Sequence, residues 1–189
     1  MKIGIYGGLF DPIHIGHISV VKFVSEYFKM DKIIVIPVGI PSHRENNAVD
    51  GNMRIKMCQM AFENIDRVEV SDIEVIQNKL CYTYDTLCNI IEIYGENNEY
   101  FEIIGEDSLN YFKTWKKYEE ILKKSKLIVL KREGYNEKAF HENIILIDSP
   151  YFPYSSTKIR DVISKNGDIS GMVTEKVRKY IETNNLYKS

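Results

Sequence analysis

Cysteine is scarce and badly placed for bridging: Cys58, Cys81 and Cys88 are odd in number and contain no CxxC pair. Such a set suits a reducing compartment better than a secreted disulfide scaffold, so a cytoplasmic location is expected. Long hydrophobic runs are missing too. None reaches the roughly 20 residues that cross a bilayer, and the opening apolar stretch meets Gly7-Gly8 too soon to be a signal peptide, so no membrane partner is expected. Charge of one sign is also absent, with a formal net charge of −2. That argues against affinity built by neutralising many backbone phosphates, so no nucleic acid partner is expected, although a local basic pocket remains open. The chain has one tryptophan and four histidines, which makes the position of each informative.

The 189 residues are 44% hydrophobic and 28% charged, ordinary usage for one globular domain spanning residues 1–189. Short apolar runs alternate with amphipathic stretches, the pattern of an α/β doubly wound parallel sheet. Strands are expected at residues 2–6, 32–38, 100–104, 126–130 and 143–148, with a short one at Val68 and Val70. Ile15, Ile18, Val21, Val24 and Phe28 recur at helical spacing. Further helices are expected around Ile55 to Phe62, at 84–94, around Glu119 to Lys123, and at 157–164 and 173–184, the last two separated by Gly167 and Gly171.

Between the first strand and the first helix lies GGLFDPIHIGH, residues 7–17. In open parallel sheets ligands bind outside the carboxyl ends of the strands, where this loop falls. Gly7 and Gly8 allow unusual dihedrals and close approach, and a helix beginning near Ile15 offers unpaired N–H groups to an anion. His14 and His17, three apart with Gly16 between them, share one helix face and can donate to oxygens that gain charge in a transition state. The other readings are histidines that merely cap the helix, or a zinc pair, for which no partner cluster of metal spacing exists. Asp11-Pro12 reads as an Asx-type turn.

GGLFDPIHIGH resembles the nucleotide-binding signature of the nucleotidyltransferase superfamily with its HxGH motif, and in this longer form it is similar to the bacterial nicotinate-nucleotide adenylyltransferases. The HIGH tetrad also marks class I aminoacyl-tRNA synthetases, which need far longer chains. The resemblance implies a Rossmann-like nucleotidyltransferase fold with C-terminal helices, and it extends over nearly the whole sequence. Residues 37–44 (PVGIPSHR) resemble a loop that turns His43 and Arg44 to nucleotide phosphates; a basic pair in a loop is otherwise solvated surface. Residues 104–109 (IGEDSL) followed by Trp115 resemble the segment in which Gly105 and Asp107 contact nucleotide groups and the tryptophan stacks on the pyridine ring. An N-cap and core packing are the plainer roles for those two side chains. Residues 154–160 (YSSTKIR) resemble a second phosphate motif, with Ser155, Ser156, Thr157 and Arg160 on the polyphosphate or, more simply, capping a helix. Tyr82 and Thr83 match the stretch that recognises the nicotinate end. Two residues depart from the pattern: Leu9 stands where Ser or Thr is usual, and Ser42 replaces a second proline.

The resemblance implies adenylyl transfer from ATP to nicotinic acid mononucleotide with release of pyrophosphate, a step of NAD biosynthesis. His14, His17 and Arg160 would be the catalytic groups. Gly7, Gly8, Phe10 and Gly16 would join them around ATP, and Mg²⁺ would arrive with the nucleotide. No tightly bound organic cofactor is expected. Rival acceptors are nicotinamide mononucleotide, phosphopantetheine and glycerol phosphate, by adenylyl or cytidylyl transfer. A nucleotide sensor and a dinucleotide-binding oxidoreductase are rivals of another class, the latter weakened by the missing GxGxxG spacing. A homo-oligomer is left open.

Overall fold

Alternating side chains on the central strands build the molecule outward in two directions. On β2 (Lys32–Pro37), Ile33 and Val35 enter one apolar cluster while Ile34 and Ile36 enter the other. Successive strand residues face opposite sides, so a run of branched apolar residues demands helices on both faces. The computed structural model, described over residues 1–40, 48–77, 79–131, 138–148 and 153–188, meets that demand. On one face pack α1 (Ile15–Phe28), α2 (Gly51–Phe62), α6 (Ser156–Ser164) and α7 (Glu175–Thr183). On the other pack α3 (Thr83–Tyr94) and α5 (Tyr118–Lys124). Each fully buried Ile or Leu in these layers contributes on the order of 1.5–3 kcal/mol.

The remaining strands are β1 (Lys2–Gly8), β3 (Val68–Val70), β4 (Glu99–Gly105), β5 (Lys126–Lys131) and β6 (Ile144–Asp148). All pairings are parallel, in the order β3-β2-β1-β4-β5-β6. The chain winds outward from β1 through β2 to β3, then returns to β4 on the other side of β1. That reversal leaves a crevice at the carboxyl ends of β1 and β4. It is the doubly wound, Rossmann-like sheet expected.

The expected elements are present, with end shifts of a residue or two except at α2, which begins at Gly51, four residues ahead of the expected Ile55. Two short ones went unforeseen: α4 (Glu106–Leu109) and a 3-10 turn (Phe112–Thr114), both between β4 and α5. One turn of helix is too short to display a 3.6-residue period, so nothing local announces it. No described helix is long and apolar enough to cross a membrane.

Candidate active site

The loop leaving β1 is shaped by Phe10 rather than by the glycines. Gly7 and Gly8 continue the strand, and the residue in the left-handed region is Phe10, with φ of 49°. This corrects the expectation of unusual dihedrals at the glycine pair. What the glycines supply is room. A Cβ on Gly8 would stand 2.9 Å from the Phe10 ring, whereas one on Gly7 would meet nothing within 4 Å, leaving bare backbone on the cleft wall. The Phe10 ring, 2% exposed, lies edge-on to His17 with centroids 5.0 Å apart and edge-on to Tyr6 at 5.5 Å. It backs the imidazole with a rigid surface.

His14 is the extended N-cap of α1, and its backbone N–H donates to His17 Nδ1 at 3.2 Å. With Nδ1 accepting, neutral His17 carries its proton on Nε2. The rings stack at 3.7 Å. Burial lowers His14 to about 4 and, with the charge of His14 added, holds His17 well below the ordinary histidine range. Both are therefore neutral at pH 7 and can act as donors. His14 Nδ1 is buried with no partner in the protein. Helix capping and a ligand-directed role coexist here, because the cap uses only one ring nitrogen of the pair.

Buried polar side chains from distant segments hold this loop. The Arg54 guanidinium, 3% exposed, donates to the carbonyls of Leu9 (2.9 Å), Val38 (2.8 Å) and Val49 (2.9 Å), joining the exits of β1 and β2. Asp11, equally buried, accepts from Val49 N–H at 3.3 Å and from Tyr187 Oη at 2.6 Å. Its carboxylate thus ties segments 38 and 176 residues away rather than its own turn, which corrects the Asx reading. Ser156 Oγ donates to Pro12 O at 2.9 Å, and Arg160 donates to Asp11 O at 2.5 Å. Ser155 caps α6 by accepting from Lys158 N–H at 3.2 Å, and Ser155, Ser156 and Thr157 line the cleft. Arg160 does not line it; its guanidinium is turned to the β1 loop.

At the other end of the same cleft stand Tyr82, Thr83 and Trp115. Thr83 is the first residue of α3, one past an N-cap, Tyr82, that makes no side-chain cap, so Thr83 is not itself the cap. Trp115 is half-buried, its ring 5.1 Å from Phe112. Lys116 pairs with Asp85 at 2.7 Å and lies 4.8 Å over the Tyr82 ring. Gly105 lines the cleft; Asp107, on α4, is exposed and does not. His43 and Arg44 lie outside the described residues.

Two carboxyls in the cleft wall escaped sequence reasoning. Glu74 accepts from Thr86 Oγ1 at 2.7 Å and from Gly39 N–H at 3.3 Å, and a Cβ on Gly39 would stand 2.5 Å from the Glu74 carbonyl. Glu102, 4% exposed, is pushed up to about 8 by burial and by the charge of Glu74. The signal was present: a glutamate inside the apolar run YFEIIG of β4. Among the described residues no group of three or more His, Cys, Asp or Glu could hold a metal ion. The cleft, about 1260 Å³, exceeds the roughly 300–1,000 Å³ of a site for one small molecule. It has room for two nucleotides.

A parallel sheet of this order with paired imidazoles at the exit of its first strand defines a nucleotidyltransferase, and residues 5–162 match the model of the cytidylyltransferase-like family. A probable nicotinate-nucleotide adenylyltransferase of Fusobacterium nucleatum subsp. nucleatum is 52% identical over 96% of this chain and 97% of its own length. One of Clostridium novyi is 37% identical over 99% of each. Among solved structures, a putative nicotinate-nucleotide adenylyltransferase from Vibrio parahaemolyticus superposes with TM-score 0.75 at 25% identity, over 100% of this chain and 96% of that one. The Plasmodium falciparum nicotinic acid mononucleotide adenylyltransferase complexed with NaAD has the same fold, with TM-score 0.82 at 22% identity over 98% and 97%. The chain belongs to the cytidylyltransferase-like family and, within it, to the nicotinate-nucleotide adenylyltransferases.

Proposed function

We infer that this chain is the enzyme that transfers the adenylyl group of ATP to nicotinic acid mononucleotide, forming nicotinic acid adenine dinucleotide and pyrophosphate in NAD biosynthesis. The observation that carries the reading is one continuous cleft with neutral paired imidazoles at one end and Thr83 with Trp115 at the other, in a chain 52% identical to a named relative. The nucleophile is the phosphate of the mononucleotide, which attacks the α-phosphorus of ATP as pyrophosphate leaves in line. A phosphate monoester with second pKa of about 6 is already mostly dianionic at neutral pH, so no side-chain base is required. The protein's part is positioning and charge stabilisation.

In this reading His17 donates through Nε2 to an α-phosphate oxygen, and His14 donates beside it. Gly7, Gly8 and Gly16 let the nucleotide lie against backbone. The start of α6, with Ser155, Ser156 and Thr157, receives the β- and γ-phosphates, while Arg160 braces the loop through Asp11. Gly105, in the cleft wall, adds to the ATP contacts, and the family resemblance brings His43 and Arg44 to the same nucleotide; Tyr82, Thr83 and Trp115 hold the pyridine ring. Mg²⁺ enters as part of MgATP, coordinated mainly by phosphate oxygens. We place the reaction in the cytoplasm, where free thiols persist.

The test is pyrophosphate release from ATP and Mg²⁺ with each candidate acceptor. Release with nicotinic acid mononucleotide is expected. Silence with every pyridine mononucleotide would overturn the reading.

A further inference from the structure

Glu102 stands on β4 between Tyr100 and Ile104, on the sheet face that carries α3. Its register partners are Ile5 on β1 and Leu127 on β5. It forms part of the cleft wall, yet Oε1 is sealed from water and has no hydrogen-bond partner. Glu74 differs, because both of its oxygens are occupied by Thr86 and Gly39. One carboxyl therefore builds the wall and the other is left unmet. A buried polar atom without a partner in a native fold calls for one that the folded chain itself does not supply.

The surroundings of Glu102 are acidic and apolar. Glu74, Cys81 and Tyr82 come from the segment ahead of α3, Asp85 from α3 itself, and Lys116, paired with Asp85 at the surface, from the segment ahead of α5. From β1 and β5 the facing side chains are Ile5 and Leu127. Among the described residues no cation offsets the push of Glu74 on Glu102. Thr83 lies one turn before Thr86 on α3, so the Thr86–Glu74 bond places Glu74 at the pyridine end of the cleft, and Glu102, on the sheet face beneath α3, is near enough to feel its charge.

We propose that Glu102 reads the substituent on the pyridine ring of the acceptor nucleotide and so sets the preference between its acid and its amide, an inference that rests on the adenylyl-transfer reading above. Pushed up to about 8, Glu102 is a neutral acid at pH 7. A neutral acid donates a short, charge-assisted O–H···O⁻ bond to a ring carboxylate. An ionised Glu102 would repel that carboxylate and would instead accept from a carboxamide NH₂. Discrimination in favour of the acid therefore weakens as pH rises through about 8. The ring carboxylate and the mononucleotide phosphate are both ionised over this range and add no titration of their own.

The experiment measures kcat/KM for nicotinic acid mononucleotide and for nicotinamide mononucleotide from pH 6.5 to 9.5, in the intact chain and in Glu102→Gln and Glu102→Leu. In the unsubstituted enzyme, kcat/KM for the acid is expected to fall by up to about tenfold per pH unit above about 8, while the amide shows no such fall. Glu102→Gln, which stays neutral and keeps a donor, removes the fall. Glu102→Leu raises KM for the acid by roughly tenfold at pH 7, with kcat and the KM for ATP little changed. A Glu102→Gln profile that follows the unsubstituted enzyme overturns the proposal, and it decides the matter even where Glu102→Leu fails to fold. Activity with neither mononucleotide in any of the three proteins would bring down the adenylyl-transfer reading, and this proposal with it.

Discussion

At the imidazole end of the cleft burial drives His14 and His17 below the ordinary histidine range; at the Thr83 end it drives Glu102 above the ordinary carboxylate range. Opposite shifts leave His14, His17 and Glu102 uncharged near pH 7, because desolvation disfavours whichever form carries charge. The anions in a loaded cleft are then chiefly the substrates' own. Each end also keeps one buried atom unpaired, His14 Nδ1 and Glu102 Oε1. The ends differ in bracing. Arg54, Asp11, Ser156 and Tyr187 stitch the imidazole loop to segments across the whole chain, whereas the pyridine end is drawn mainly from residues 74–86 and 102–116. In the proposed function the chemistry common to every acceptor falls at the braced end, and selection between acceptors falls to a few side chains at the other.

The strongest way to break the contrast in bracing is Arg54→Ala. It strips the half-buried carbonyls of Leu9, Val38 and Val49 of their donor, and a loss of roughly 3 kcal/mol or more in urea unfolding is expected. A loss below about 1 kcal/mol would mean that the loop holds itself. Next comes His17→Ala, which removes a transition-state donor while Phe10 and the sheet remain; turnover should drop by roughly a hundredfold or more. Near-normal kcat in the folded variant contradicts the donor role.

The opposite pKa shifts are sharpened by acid titration. The folded pKa of His14, about 4, lies below its unfolded value of 6.5. The unfolded chain therefore binds the extra proton first as pH falls. Stability from this group is constant above pH 6.5 and declines between 6.5 and about 4, whereas Glu102, neutral in the fold but ionised in the unfolded chain above about 4.5, gains stability as pH falls from about 8 to 4.5 and opposes that decline, so the comparison with His14→Gln isolates the imidazole. Urea midpoints at pH 7, 5.5 and 4.5 should fall less steeply in His14→Gln than in the unsubstituted protein; parallel curves would refute the assignment. The smallest effect is expected from Tyr187→Phe, which removes only the 2.6 Å bond to Asp11 and should cost about 1 kcal/mol with kcat nearly unchanged. Thermal melts with parallel rate assays check it.

Much of the architecture was legible because its signals are local. KIIVIP has to be a strand buried on both faces, and Ile15 to Phe28 carries its helical period in plain view. The imidazole pair, the start of α6 and the Thr83 and Trp115 segments were all identifiable, and they reach the cleft except for Arg160, whose guanidinium Asp11 holds, and Asp107, which is exposed on α4. Position within a motif says which element a residue occupies, not where a long flexible side chain turns. Arg54 belongs to no motif the sequence singles out, although a cation among Ile55, Cys58 and Ala61 is out of place unless something buried needs it.

The sequence by itself determined the alternation of strands and helices and the placing of GGLFDPIHIGH at a strand exit, since these depend on spacing within a dozen residues, while the class of reaction is carried by the resemblance of its motifs to the nucleotidyltransferases. Tertiary structure alone decided that β4 returns beside β1 and opens the crevice, that Asp11 meets Tyr187, and that Glu102 faces Glu74 instead of water. The physical reason is that desolvation and hydrogen-bond satisfaction belong to the assembled neighbourhood: the same carboxyl is an ordinary acid in the extended chain and a neutral donor only once the sheet and α3 have closed around it.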